Sequence, residues 1–201
     1  MRQMRQPDST FINLVIALPA EARPLINLLN LQRDQVNMKI PVYHGNGIQL
    51  AITGPGATAS ARGVHYIQSI KPCSTAQWIN LGICGHGSLA VGTPLLINRV
   101  IDRQSGKEWP LTIRHLITRT TGALTCVPEP QSEYTDDMAF DMESSGFIQA
   151  VNDIDMIEYA KIFKIVSDNP ANDSRGISAK FVGTLVQQQL GLIRSMIELT
   201  Q

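Results

Sequence analysis

Three carboxylates in this 201-residue chain stand at points where the backbone is expected to turn. Glu21 follows Leu18-Pro19-Ala20, Glu143 sits in Asp141-Met142-Glu143-Ser144-Ser145-Gly146, and Asp168 sits in Ser167-Asp168-Asn169-Pro170. Carboxylates can carry protons in catalysis when their surroundings tune them. Singly, each also has a structural explanation. An acid in the first turn of a helix is favoured by the helix dipole, and Ser-Asp-Asn-Pro is an ordinary turn or helix-start signal. Ser144 and Ser145 are not in a G-x-S-x-G elbow and have no His and acid in hydrolase order, which argues against a serine nucleophile.

Two glycine-rich loops offer backbone amides instead. Gly54-Pro55-Gly56-Ala57-Thr58-Ala59 fits the G-x-G-x-x-A pattern of dinucleotide sites. The ribose-binding acid expected about 20 residues later is absent, because no Asp or Glu occurs between Asp34 and Asp102. That acid-free stretch keeps Lys39, Arg62, Lys71 and Arg99, so its field leans positive and could favour a phosphate. Buried strands avoid carboxylates as well, which explains the same pattern without a ligand. The second loop, Gly82-Ile83-Cys84-Gly85-His86-Gly87, ends an expected strand, where free amides at a sheet's carboxyl edge commonly bind ligands. Cys84 and His86 lack clustered partners, so no metal site is expected. His44, His65 and His115 are expected at the surface or in a satisfied core.

These residues need elements to position them. Phe11 to Leu18 is an apolar run suited to a strand covered on both faces, and Ala20 to Leu31 has helical periodicity. Val42–His44 and Ile48–Thr53 flank Gly45-Asn46-Gly47, a hairpin signal because Asn and Gly tolerate positive φ. Ala57 to Ile70 reads as a helix, Trp78 to Cys84 as a buried strand, Gly85 to Gly92 as a turn and Pro94 to Ile101 as extended. Between Asp102 and Asp137 only Gly122 to Val127 reads as a strand. Phe140 to Val151 is expected as a helix, Tyr159 to Val166 as a strand and Ile177 to Leu199 as one long terminal helix. Strands alternating with helices give an α/β three-layer sandwich, with residues 11–201 as a single domain behind a disordered tail at 1–10.

With 43% hydrophobic residues the chain can bury a large core, and 17 basic against 17 acidic residues give no net pull toward nucleic acid or anionic lipid. A small molecule or a second copy of the chain is the expected partner. Cys73, Cys84 and Cys126 form no Cys-x-x-Cys pair, which suits a reducing cytoplasm better than a disulfide framework. Met1 to Thr10 lacks the apolar run of a secretory signal. No stretch approaches the roughly 18 apolar residues of a membrane span.

Taken in order, the segments resemble the purine and uridine phosphorylase superfamily, most closely its methylthioadenosine/S-adenosylhomocysteine nucleosidase branch. The resemblance is carried by Ala17-Leu18-Pro19-Ala20-Glu21, Gly54-Pro55-Gly56, Asn80-Leu81-Gly82 through Gly92, Asp141-Met142-Glu143 and Val166-Ser167-Asp168. The last two are the most specific. Ile83 and Cys84-Gly85-His86-Gly87 depart from the family pattern.

The resemblance implies a mixed central sheet flanked by helices, a homo-oligomer, and cleavage of the N-glycosidic bond of a nucleoside without a cofactor. Such cleavage builds positive charge on the sugar and negative charge on the base. Asp168, with Ser167 in support, would protonate the base, and Glu143 and Met142 would hold the ribose. Glu21 would orient or deprotonate the attacking water. Gly56, Gly82, Ile83 and Cys84 would form the loops around the nucleophile or an anion, with His86 supporting. A carboxylate at Glu21 repels phosphate, so water is the expected nucleophile. Arg23, near Glu21, keeps phosphorolysis with inorganic phosphate as the alternative, and a non-catalytic nucleoside-binding protein is another. The stretch from Arg99 to Asp141 is shorter than in the family, and the sequence offers no identifiable aromatic segment to sandwich a purine.

Overall fold

The computed structural model describes residues 11–35, 40–114, 117–131, 133–134, 136–172 and 177–199. The expected tail, Lys39 and His115 lie outside them. In chain order the elements are β1 (Ile12–Ile16), α1 (Pro19–Leu28), β2 (Gln32–Arg33), β3 (Val42–Gly45), β4 (Ile48–Ile52) and α2 (Ala57–Ile70). There follow β5 (Gln77–His86), β6 (Pro94–Asp102), β7 (Glu108–Pro110), β8 (Thr121–Cys126) and β9 (Ala139–Asp141). The chain continues through α3 (Ser144–Asp153), a 3₁₀ turn at Ile157–Tyr159, β10 (Ala160–Asp168), α4 (Ala179–Gln188) and α5 (Leu190–Glu198).

The strands have apolar residues on both faces because both faces are covered. In β1, Ile12, Leu14 and Ile16 pack with Leu25 of α1, Val186 of α4 and Ile193 of α5, while Val15 faces Val64 of α2 and Phe147 of α3. β10 alternates the same way, with Phe163 and Ile165 toward the first group and Ile162 and Val166 toward the second. This is helices on sheet on helices, the expected three-layer α/β sandwich. The sheet is mixed: β1 runs parallel to β4 and β5, β5 parallel to β10, and β10 antiparallel to β6. Beyond β6 the chain of pairings passes through β8 and β9 back to β5, so this half of the sheet closes on itself. The carboxyl ends of β1, β5 and β10 therefore meet around one opening. No helix among the described residues is long and apolar enough to cross a membrane.

Four local expectations change. The helix expected from Phe140 begins at Ser144, because Ala139–Asp141 joins the sheet between β5 and β8 and its backbone follows the ladder. The terminal helix is two helices, interrupted at Gln189 (φ −101°, ψ 4°), whose Nε2 donates to the Gly92 carbonyl at 3.0 Å. Gly85 and His86, expected in a turn, are the last residues of β5. The short strands β2 and β7 were not anticipated; with two and three residues they are too brief to show a period. The hairpin at Asn46-Gly47 forms as expected, with φ of 50° and 75°.

Candidate active site

Glu21 enters the site from the first turn of α1. Its Oε2 accepts the Leu18 N–H at 2.8 Å, and its Oε1 accepts the Ile83 N–H at 2.9 Å from β5. Gly82 makes this approach possible, since a Cβ there would lie 2.8 Å from Oε1. Glu21 is only 2% exposed. Burial pushes its carboxyl up from 4.5 to about 7, against the pull of Lys164 and the two amides. It therefore changes charge near neutrality.

Glu143 lies at the junction of β9 and α3. Its Oε1 accepts the Gly56 N–H at 2.8 Å, and its Oε2 lies 3.4 Å from the Met142 amide. Gly56 has φ of +99°, a conformation few side chains tolerate. Burial, then the nearby Asp141 charge, raises the Glu143 carboxyl above its ordinary range, and Lys164 opposes the rise.

Asp168 ends β10, where the register with β5 shifts between Val166 and Asp168. Such an irregularity re-aims the side chain. The Ser167 hydroxyl lies 2.5 Å from Asp168 Oδ1 and 3.1 Å from the Cys84 carbonyl, and the Tyr134 hydroxyl donates to Asp168 Oδ2.

Asp168, Ser167, Glu143, Met142, Ile83 and Cys84 line one cavity of about 420 Å³, a size in the range of small-molecule sites. Glu21 sits beneath it, behind Leu18 and Ile83, which both line it. Gly56 and Gly82 shape the site without lining it. His86 is not brought to the cavity, because its Nδ1 is committed to the Ser88 and Leu89 amides at 3.1 and 3.2 Å. Burial lowers its pKa. Arg23 also lies elsewhere, in a groove between α1 and α4.

Several cavity residues escaped the sequence reading. Tyr134 and Phe140 form an aromatic wall, their ring centroids 5.4 Å apart, in the stretch where no aromatic segment had been identified. The Arg103 guanidinium lies 5.7 Å from the Phe140 ring centroid. Two aromatics six positions apart in a shortened loop were the available signal. Lys164 is buried beneath the site and pairs with Asp141 at 2.8 Å. Its only signal was a lysine in the middle of the apolar strand Ala160–Asp168, flanked by Phe163 and Ile165. Asp141 also accepts the Ser144 N–H at 3.2 Å, so it caps α3 while Glu143 turns to Gly56. Among the described residues no group of His, Cys, Asp and Glu is arranged for a metal ion.

The half-closed mixed sheet between helix layers is a fold also found in solved nucleosidases. More narrowly, the chain has the fold of the methylthioadenosine/S-adenosylhomocysteine nucleosidases. It is similar to the 5′-methylthioadenosine nucleosidase of Arabidopsis thaliana, with a TM-score of 0.82 at 16% identity over 96% of each chain. The nucleosidase of S. pneumoniae, solved with a transition-state inhibitor, matches with a TM-score of 0.76 at 15% identity, over 92% of this chain and 96% of that one. The Neisseria meningitidis nucleosidase bound to methylthio-immucillin-A matches with a TM-score of 0.76 at 15% identity, over 93% and 99%. No protein-family model and no curated protein sequence matches the chain.

Proposed function

We propose that the chain hydrolyses the N-glycosidic bond of a purine nucleoside. The observation that carries this reading is the occupation of the two turn amides nearest the acids. The Ile83 N–H is held by Glu21 and the Gly56 N–H by Glu143. An anion arriving there would meet carboxylates where it needs donors, at a cost of several kcal/mol at short range. Water meets no such penalty. Arg23, which had kept phosphorolysis open, lines a different groove.

In this reading Glu21, ionising near neutrality, takes a proton from water as its oxygen attacks C1′. The bond between C1′ and the base nitrogen breaks, its electron pair passes to the base, and Asp168 hands the base a proton. Glu143 accepts hydrogen bonds from the ribose hydroxyls, with Met142 against the sugar. The carboxylates of Glu143 and Glu21 also favour the positive charge developing on the sugar. Lys164 opposes the rise in both pKa values and so favours their ionised forms. Tyr134 and Phe140 supply the flat apolar wall that a purine ring needs.

The test is release of free base from 5′-methylthioadenosine and related purine nucleosides by purified protein. Release without phosphate supports hydrolysis; release only with phosphate would replace it by phosphorolysis. Binding without release would leave a nucleoside-binding protein. The free thiols of Cys73, Cys84 and Cys126 support a cytoplasmic setting, and exposed Ile70 and Phe181 support a homo-oligomer, which light scattering would test.

A further inference from the structure

Tyr134 reaches deeper into the cavity than a wall needs to. Its hydroxyl donates to Asp168 Oδ2 and lies 3.1 Å from the Gln131 carbonyl, while the Ser167 hydroxyl holds Oδ1 at 2.5 Å. Both oxygens of the acid are therefore engaged by the protein itself. The phenol passes so close over Gly85 that a Cβ there would lie 2.5 Å from Tyr134 Cζ. Gly87 gives similar room to the backbone beyond Tyr134. A Cβ at Gly87 would lie 2.9 Å from the Asp136 carbonyl carbon, and the Gly87 N–H donates to the Met138 carbonyl at 3.3 Å. The Ser88 hydroxyl adds a bond to Asp137. Cys84-Gly85-His86-Gly87, the turn that departs from the family pattern, is thus a cradle that seats Tyr134 on Asp168.

A phenol so placed presents to the cavity what a base would present. Its flat ring stands beside Phe140, with centroids 5.4 Å apart, and its polar end is on Asp168. The two cannot share Oδ2, so a base reaches the acid only after the hydroxyl has left it. The exchange also depends on the proton. In the nucleosidase reading, Oδ2 carries the proton meant for the base before cleavage and is then a weak acceptor for the hydroxyl. On cleavage that proton passes to the base nitrogen, the electron pair of the C1′–N bond goes to the base, and Asp168 is left a carboxylate. A hydrogen bond to an ionised acceptor is about twice as strong as one to a neutral group. The Tyr134 hydroxyl then regains Oδ2, keeping its own proton, and the neutral base loses its partner. One proton from solvent restores Asp168, matching the proton that Glu21 took from the attacking water and gives back.

We propose that Tyr134 is a product-displacing residue, which returns to Asp168 once the acid has given up its proton and so expels the purine base. The inference rests on the nucleosidase reading of the cavity and adds to it how the base leaves.

Tyr134→Phe keeps the ring and deletes the hydroxyl. With 5′-methylthioadenosine as substrate, the single-turnover cleavage rate is expected to stay at the wild-type value. The inhibition constant of adenine should fall about fivefold, the effect of one competing hydrogen bond, and its dissociation rate in stopped-flow displacement should fall by the same factor. An unchanged inhibition constant and dissociation rate would overturn the proposal, and so would a single-turnover rate that falls with them, which places the hydroxyl in the chemical step. If neither protein cleaves any purine nucleoside, the nucleosidase reading fails first. Calorimetry with adenine then decides the competition at Asp168 alone: about fivefold tighter binding to Tyr134→Phe supports it, and equal, weaker or absent binding overturns it.

Discussion

The Nζ of Lys164 lies 2.8 Å from Oδ2 of Asp141, with both side chains 1% exposed. Asp141 also accepts the backbone N–H of Ser144 at 3.2 Å and its hydroxyl at 2.5 Å. One ion pair thereby joins β10, β9 and the start of α3, the three segments that carry Asp168, Met142 and Glu143. Burial opposes the charge on Lys164, but Asp141, Glu143 and Glu21 together hold the ammonium above its ordinary range.

Removing one partner from such a pair leaves an uncompensated buried charge. Lys164→Met should cost about 3–5 kcal/mol in urea unfolding. Lys164→Met/Asp141→Asn should recover much of the loss, because the second change removes the orphaned charge and keeps an acceptor for Ser144. Additive losses in the double variant would show that the pair does not act as a unit.

Glu21→Gln keeps the shape of the acid but removes the base. The expected loss is about 10²–10⁴-fold in kcat, the usual range for a general base, with a much smaller change in KM. Steady-state kinetics on a cleaved purine nucleoside makes the comparison. Wild-type kcat in this variant would dismiss Glu21 as the base.

Gly82→Ala tests the same carboxylate from the other side. A Cβ at this position would lie 2.8 Å from Glu21 Oε1, so the acid must withdraw from β5. Activity should fall by at least tenfold, with the acidic limb of the pH profile displaced and far-ultraviolet circular dichroism unchanged.

The pH dependence has a defined sign. Burial raises Glu21 from 4.5 to about 7. A raised folded-state pKa contributes stability that is fully present below about 4.5 and lost as pH rises through about 7. The difference corresponds to about 3 kcal/mol, and Glu143 adds to it in the same direction. Unfolding free energy should therefore fall between pH 5 and pH 8, and the slope should flatten in Glu21→Gln. Activity should rise over the same window, since the base must be ionised.

Tyr134 donates its hydroxyl to Asp168, the carboxyl that a base must reach. Tyr134→Phe keeps the aromatic wall and frees that acceptor. Purine nucleoside should bind a few-fold tighter by calorimetry, in keeping with the roughly 1 kcal/mol of one hydrogen bond. Weaker binding would mean that the hydroxyl serves the ligand instead.

The sequence by itself determined those features whose cause is local. β1, the hairpin at Asn46-Gly47, α2 and β10 were legible because side-chain period and turn residues act over a few positions. Asp168 was legible as a strand-end acid because it follows the apolar run of β10, whereas Glu143 was singled out only through the resemblance carried by Asp141-Met142-Glu143. What only the tertiary structure decided are the meetings between distant segments. Glu21 would pass for a helix-start acid until β5 brings the Ile83 amide to it and burial moves its titration to neutrality. Lys164 would pass for a stray cation until β9 brings Asp141 alongside. Phe140 fell inside an expected helix, because local periodicity could not register the pairing with β5 and β8 that makes it a strand and puts its ring beside Tyr134. Arg23, just over half a turn of helix from Glu21 at about 3.6 residues per turn, belongs to another compartment, since neighbours on a helix can face different ones.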